Sequence, residues 1–118
     1  MPPEKDERAA LVDMLEFCRE VCSFVEGRTR QDLDADRTLL RALERTLEPV
    51  GECARRIPED TRVAHPSIPW RAMVGMRNII AHDYGRVNLD LIWRTVQRDM
   101  PPVVTALELV VAALPPPQ

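Results

Sequence analysis

Residues 36–57 read DRTLLRALERTLEPVGECARRI, and within them Leu40, Leu43, Leu47, Val50, Ala54 and Ile57 recur in steps of three and four. That spacing is one apolar face of an α-helix, closing before Pro58. Asp36 sits one step before Leu40 on the same stripe. It reads either as a cap or first-turn carboxylate at the positive end of the helix, or as an acceptor for an arginine near a functional site. Gly51 inside this run costs about 1 kcal/mol relative to alanine. A close approach of another helix, or of a site, would account for it.

The same periodicity extends in both directions. Leu11, Leu15, Cys18, Cys22 and Val25 step by four and three, predicting a helix from about Glu7 to Glu26 that stops at Gly27. The stretch RTRQDLDAD, residues 28–36, reads as a polar connection whose acids Asp32, Asp34 and Asp36 suit the start of the next helix. Residues 58–69, PEDTRVAHPSIP, read as a proline-marked loop, and His65 within it as a solvated loop residue. A third helix is expected from Trp70, carrying Met73, Val74, Met76 and Ile80, with a break at HDYG, residues 82–85. A fourth runs from about Asn88 to Met100 with Leu89, Ile92, Trp93 and Val96 inward. Pro101 and Pro102 are expected to end or kink it, or to open a last short helix bearing Val103, Val104, Leu107, Val110, Val111 and Leu114. Neither strand alternation nor an internal repeat is present. The expected architecture is all-α: one antiparallel bundle of four to five helices over residues 1–118, with an ordered core of about 7–114 and frayed tails.

Composition bounds the function. A chain of 118 residues, 45% apolar and 30% charged, is a single folded domain rather than a disordered one. A net charge of −3 excludes a uniformly basic nucleic-acid coat and leaves a local basic site open. Of the 16 basic residues only Lys5 is a lysine. Arginine suits phosphate forks, although a GC-rich genome produces the same bias. The charge is uneven: residues 1–67 hold 11 basic and 15 acidic side chains, whereas 68–100 hold Arg71, Arg77, Arg86, Arg94 and Arg98 against Asp83, Asp90 and Asp99.

Cys18, Cys22 and Cys53 form no CxxC pair and lie on apolar stripes, so they read as small buried hydrophobes rather than a disulfide framework or zinc ribbon. No secretory leader is evident, and the longest apolar stretch, VVTALELVVAAL at 103–114, is too short to span a bilayer. A cytoplasmic protein with reduced cysteines is expected. Walker, dinucleotide-binding, HExxH and nucleophile-elbow motifs are absent. Five aromatic residues are too few for a single-strand stacking platform.

The chemically informative stretch is PWRAMVGMRNIIAHDYGRVNLDLIW, residues 69–93, which holds Arg77, Asn78, His82 and Tyr84. Taken singly, His82 could be structural and Arg77 a helix-surface charge. Positions five apart differ by about 140° around a helix, so Arg77 and His82 do not share a face of one continuous helix. Asn78 and His82, four apart, align if the helix continues. Both geometries favour a site at a helix end or a subunit interface.

The segment RNIIAHDY at 77–84, preceded by HPSIPW and followed by LIW and DMPP, resembles the HEPN superfamily, and within it the HepT-like toxins of prokaryotic toxin–antitoxin pairs. The shared hallmark is Arg77, the polar Asn78, the spacer Ile79 to Ala81, then His82, Asp83 and Tyr84. Asp36, Gly51-Glu52, Ile68-Pro69-Trp70, Gly75-Met76, Trp93 and Asp99 add to the similarity, which spans roughly residues 10–105.

The resemblance implies a HEPN-like bundle that forms a homodimer and brings two copies of the motif into one cleft. It implies a metal-independent endoribonuclease needing no cofactor, with Arg77 and His82 catalytic and Asn78, Tyr84 and Asp36 supporting. It also implies a partner, a minimal nucleotidyltransferase antitoxin of the MntA type, which transfers AMP onto Tyr84 and silences the toxin. Histidine, with an ordinary pKa of about 6.5, suits proton transfer at the 2′-hydroxyl and the leaving oxygen of RNA. A guanidinium suits the charge of the phosphorane. The alternative from another class is a non-catalytic helical adaptor that binds and regulates a nucleotidyltransferase; a plain helical dimerisation domain is a third reading.

Overall fold

The computed structural model describes residues 3–80 and 88–116, with side chains described from Asp6 onward. Every regular element among them is helical. In chain order they are α1 (Pro3–Val25), α2 (Arg30–Ala35), α3 (Arg37–Arg55), α4 (Glu59–Ala64), α5 (Trp70–Val74), α6 (Met76–Ile80), α7 (Leu89–Arg94), a π-helical turn (Thr95–Asp99) and α8 (Met100–Ala112).

Helix α1 packs against both α3 and α8, and α3 in turn carries α5 and α6 on another side. Most of each expected stripe is buried: Leu11 and Cys18 of α1 and Leu43, Leu47 and Val50 of α3 have no exposed surface, whereas Cys22 and Leu40 are half-buried and Met14 and Leu39 join the core beside them. Each such leucine contributes about 1.5–3 kcal/mol through burial. Gly27 ends α1 with φ +73°, a left-handed conformation that glycine adopts without a Cβ penalty.

Two stretches expected to be loops hold short helices instead. In the first, α2 is only six residues long and buries one apolar side chain, Leu33, too little to show a period. Its start is fixed locally, where the Thr29 amide donates to Asp32 Oδ2 at 2.7 Å. In the second, α4 buries none of its six residues. Arg62 turns back from α4 and donates to the carbonyls of Ile57 at 3.0 Å and Ala54 at 2.9 Å. It thereby adds a side-chain donor at the end of α3, where the Ala54 carbonyl also accepts from the Ile57 amide at 3.2 Å.

The third helix begins at Trp70 as expected but divides at Gly75 into α5 and α6. The Trp70 indole donates to the His65 carbonyl at 3.0 Å, fixing the entry into α5. The expected break at HDYG lies outside the described residues. After α7 the chain does not stop at the prolines. The Met100 amide bonds to the Thr95 carbonyl, five residues back, and the helix continues as α8 with prolines in its first turn. A proline lacks the N–H and crowds the carbonyl four residues before it; the wider π turn relieves that crowding for Pro101 and Pro102. Among the described residues no helix is long and apolar enough to cross a membrane.

Candidate active site

The site is built on the contact between α3 and the α5–α6 pair. Gly51 lies where a Cβ would stand 3.2 Å from the Val74 carbonyl oxygen and 3.3 Å from that of Met73. The missing side chain lets the two backbones touch, so the glycine marks a helix–helix approach. From there α6 runs back along α3, and Arg77 and Ile80 meet Arg41, Glu44, Arg45 and Glu48 around an open groove of about 260 Å³. Helix α6 also packs against α7. The chain ends flanking the motif are therefore both held by the bundle, α6 on α3 and α7 on α2. Asn88 caps α7 by accepting from the Leu91 amide at 3.0 Å, and Arg30 of α2 reaches Asp90 of α7 at 2.8 Å.

Of the motif residues, Arg77 and Asn78 are exposed on α6. Arg77 lines the groove and Asn78 does not. His82 and Tyr84 lie outside the described residues. No ion pair of Arg77 or Arg45 occurs among the described residues. Arg41 does have one, donating to Glu44 at 2.7 Å.

Asp36 takes the capping role. Its Oδ1 accepts from the Leu39 amide at 3.1 Å and its Oδ2 from Arg28 at 3.2 Å. The Leu39 amide first, and Arg28 second, hold the carboxyl below its usual range. The arginine it accepts is thus Arg28, and Asp36 is not part of the groove that Arg77 lines.

The remaining candidates separate clearly. Cys18 is fully buried, and its thiol is pushed up to about 12, chiefly by burial and then by Cys22 and Cys53 nearby. A thiol so protonated is neither nucleophile nor ligand at neutral pH. Among the described residues no group of three or more His, Cys, Asp or Glu side chains converges as a metal site. His65 is not simply solvated: it is half-buried at the end of α4 and lines a second groove with Glu7, Leu11, Asp60 and Leu114. Arg41 and Arg45 were not singled out by the sequence. Their signal, two arginines four apart on the polar face of α3, is common on solvated helices and acquires meaning only beside Arg77.

These features place the chain in a class of all-helical proteins that display a motif arginine in an open groove near a helix end. Residues 14–110 match the family model described as ribonuclease HepT-like, and the chain belongs to that family of ribonucleases. A candidate RNase of Methanocaldococcus jannaschii is 34% identical over 107 residues, covering 91% of this chain and 98% of the relative. A protein of Thermococcus cleftensis named for ribonuclease HepT is 38% identical over 93 residues, covering 75% and 84%. A candidate RNase of Caldanaerobacter subterraneus subsp. tengcongensis is 34% identical over 97 residues, covering 82% and 87%. No solved structure matches the chain.

Proposed function

We propose that the chain is a metal-independent endoribonuclease that cuts RNA through Arg77 and His82, and that it serves as the toxin of a toxin–antitoxin pair. The observation that carries this reading is Arg77: exposed, without a carboxylate partner among the described residues, and opening on a groove shared with two further guanidiniums.

In the reaction, the ribose 2′-oxygen attacks the adjacent phosphorus as a base removes its proton. The bond to the 5′-oxygen then breaks as an acid protonates that oxygen, leaving a 2′,3′-cyclic phosphate and a 5′-hydroxyl. His82 moves these protons, and Arg77 holds two non-bridging oxygens of the phosphorane. One imidazole cannot be base and acid in the same step. A homodimer with a two-fold axis through the site supplies the second. Asn78 orients the motif or binds phosphate, and Tyr84 hydrogen-bonds the substrate.

The same tyrosine is the point of control. Its phenolic oxygen attacks the α-phosphorus of ATP on a nucleotidyltransferase antitoxin, and pyrophosphate leaves. The AMP left on Tyr84 adds bulk and negative charge where an RNA phosphate must bind.

The test incubates the purified chain with total RNA in EDTA and sequences the new ends. Cleavage by the wild type that is lost in a folded His82→Ala variant is the expected result. Equal cleavage by that variant removes His82 from the mechanism. A wild type that cuts nothing yet binds a nucleotidyltransferase tightly makes the chain an adaptor. Mass spectrometry after co-expression with that partner is expected to find AMP on Tyr84; AMP found only elsewhere removes that role.

A further inference from the structure

Arg41 and Arg45 stand four residues apart on α3, on one helix face and about 6 Å apart along its axis. Arg77 arrives beside them from α6, and the three guanidiniums line one groove with Glu44 and Glu48. Glu44 is mostly buried, with 16% of its side chain exposed, and Arg41 holds its charge at 2.7 Å. Among the described residues Glu48 makes no ion pair, so Arg45 and Arg77 share the groove with one unengaged carboxylate. In the sequence Arg41 and Arg45 fall in the acidic half of the chain, where 11 basic residues are outnumbered by 15 acidic ones. Only the return of α6 along α3 puts them beside the motif arginine.

We propose that this groove is the track for the RNA backbone next to the scissile phosphate, with Arg45 binding a neighbouring phosphate. The inference rests on the ribonuclease reading and adds a substrate-binding residue to it. A guanidinium fork takes two oxygens of one phosphate. With Arg77 on the reacting phosphate, Arg45 is placed to take a neighbouring one. Arg41 joins the track when an incoming phosphate replaces Glu44 as its partner. Glu48 opposes the backbone charge and so weakens the groove's hold on a polyanion.

The experiment measures binding of a fluorescent 2′-O-methyl oligoribonucleotide, which lacks the attacking hydroxyl and stays whole. It uses the full chain at about 50 to 200 mM salt. Arg45→Ala is expected to lower affinity about three- to tenfold and to flatten the log–log salt slope by about 0.7, the value for one phosphate contact on a single strand. Arg45→Lys keeps the slope, and Glu48→Gln raises affinity. Arg55→Ala, an exposed arginine of α3 outside the groove, changes neither quantity. With cleavable RNA, Arg45→Ala raises KM and leaves kcat in place, the pattern of a contact made equally in ground and transition states. If the wild type cuts RNA and Arg45→Ala binds and cuts like Arg55→Ala, the track is overturned and the ribonuclease reading stands. A wild type that neither holds the probe nor cuts RNA overturns both.

Discussion

Gly51 faces the carbonyl of Val74 so closely that a Cβ would stand 3.2 Å from its oxygen. The opposing atoms are backbone, which cannot swing aside as a side chain would. Gly51→Ala gains about 1 kcal/mol of helix propensity but requires the α5 backbone at Met73 and Val74 to give way. Overpacking of that kind costs about 1–3 kcal/mol, so a net loss of stability is expected, with Gly51→Val worse. Urea unfolding is the measurement. A rise in the midpoint for Gly51→Ala would show that α5 moves freely. Because α6 follows α5 and carries Arg77, cleavage is expected to fall with the same variant.

Asp36 carries a pH dependence whose sign follows from its capping bonds. The Leu39 amide and Arg28 hold its folded-state carboxyl below the ordinary value of 3.8. The unfolded chain therefore takes up the proton first, and the stabilisation present above the ordinary carboxylate range is lost as pH falls through the folded value. Asp36→Asn keeps a cap acceptor and removes the charge. Denaturant midpoints measured from pH 6 down to acid are expected to drop less steeply for Asp36→Asn than for wild type. Parallel curves would mean the carboxylate contributes nothing to acid stability.

The long helices were legible because their apolar residues recur over four or more turns, as Leu40 to Ile57 do on α3. Helices α2 and α4 were not. Leu33 alone is no period, and α4 buries no side chain; it is held by polar contacts, Arg62 to the end of α3 and the Thr61 hydroxyl to Glu7 of α1. Pro101 and Pro102 signalled a disturbance correctly, but pattern alone does not tell a stop from a π turn, since both accommodate a residue without an N–H. Within the site, Arg77 was visible as part of a motif. Arg41 and Arg45 were not, because a groove between α3 and α6 is a tertiary fact. Gly51 was legible as an anomaly, and the structure supplies its reason.

The burial of Cys18 predicts its chemistry. With the thiol pushed up to about 12 and no exposed surface, almost no thiolate forms at pH 8. Treatment of the native protein with a thiol-reactive reagent at that pH is expected to leave Cys18 unmodified, and the same treatment in denaturant to label it. Peptide mapping reads both. Fast labelling of Cys18 under native conditions would show that α1 opens from α3 and α8 on the reagent's timescale.

Arg77 offers the cleanest separation of function from fold. It is exposed on α6 and makes no ion pair among the described residues, so Arg77→Ala is expected to leave the unfolding midpoint within about 0.5 kcal/mol of wild type. If its guanidinium holds the phosphorane, the same change lowers kcat about 10²–10³-fold. Arg77→Lys keeps the charge but loses the fork, and is expected to recover only part of the rate. The split from Arg45→Ala is the sharper comparison: a lower kcat at position 77, a higher KM at position 45. Arg77→Ala with unchanged kcat would mean that the motif arginine binds RNA without stabilising the transition state, and the catalytic charge would then have to come from another residue.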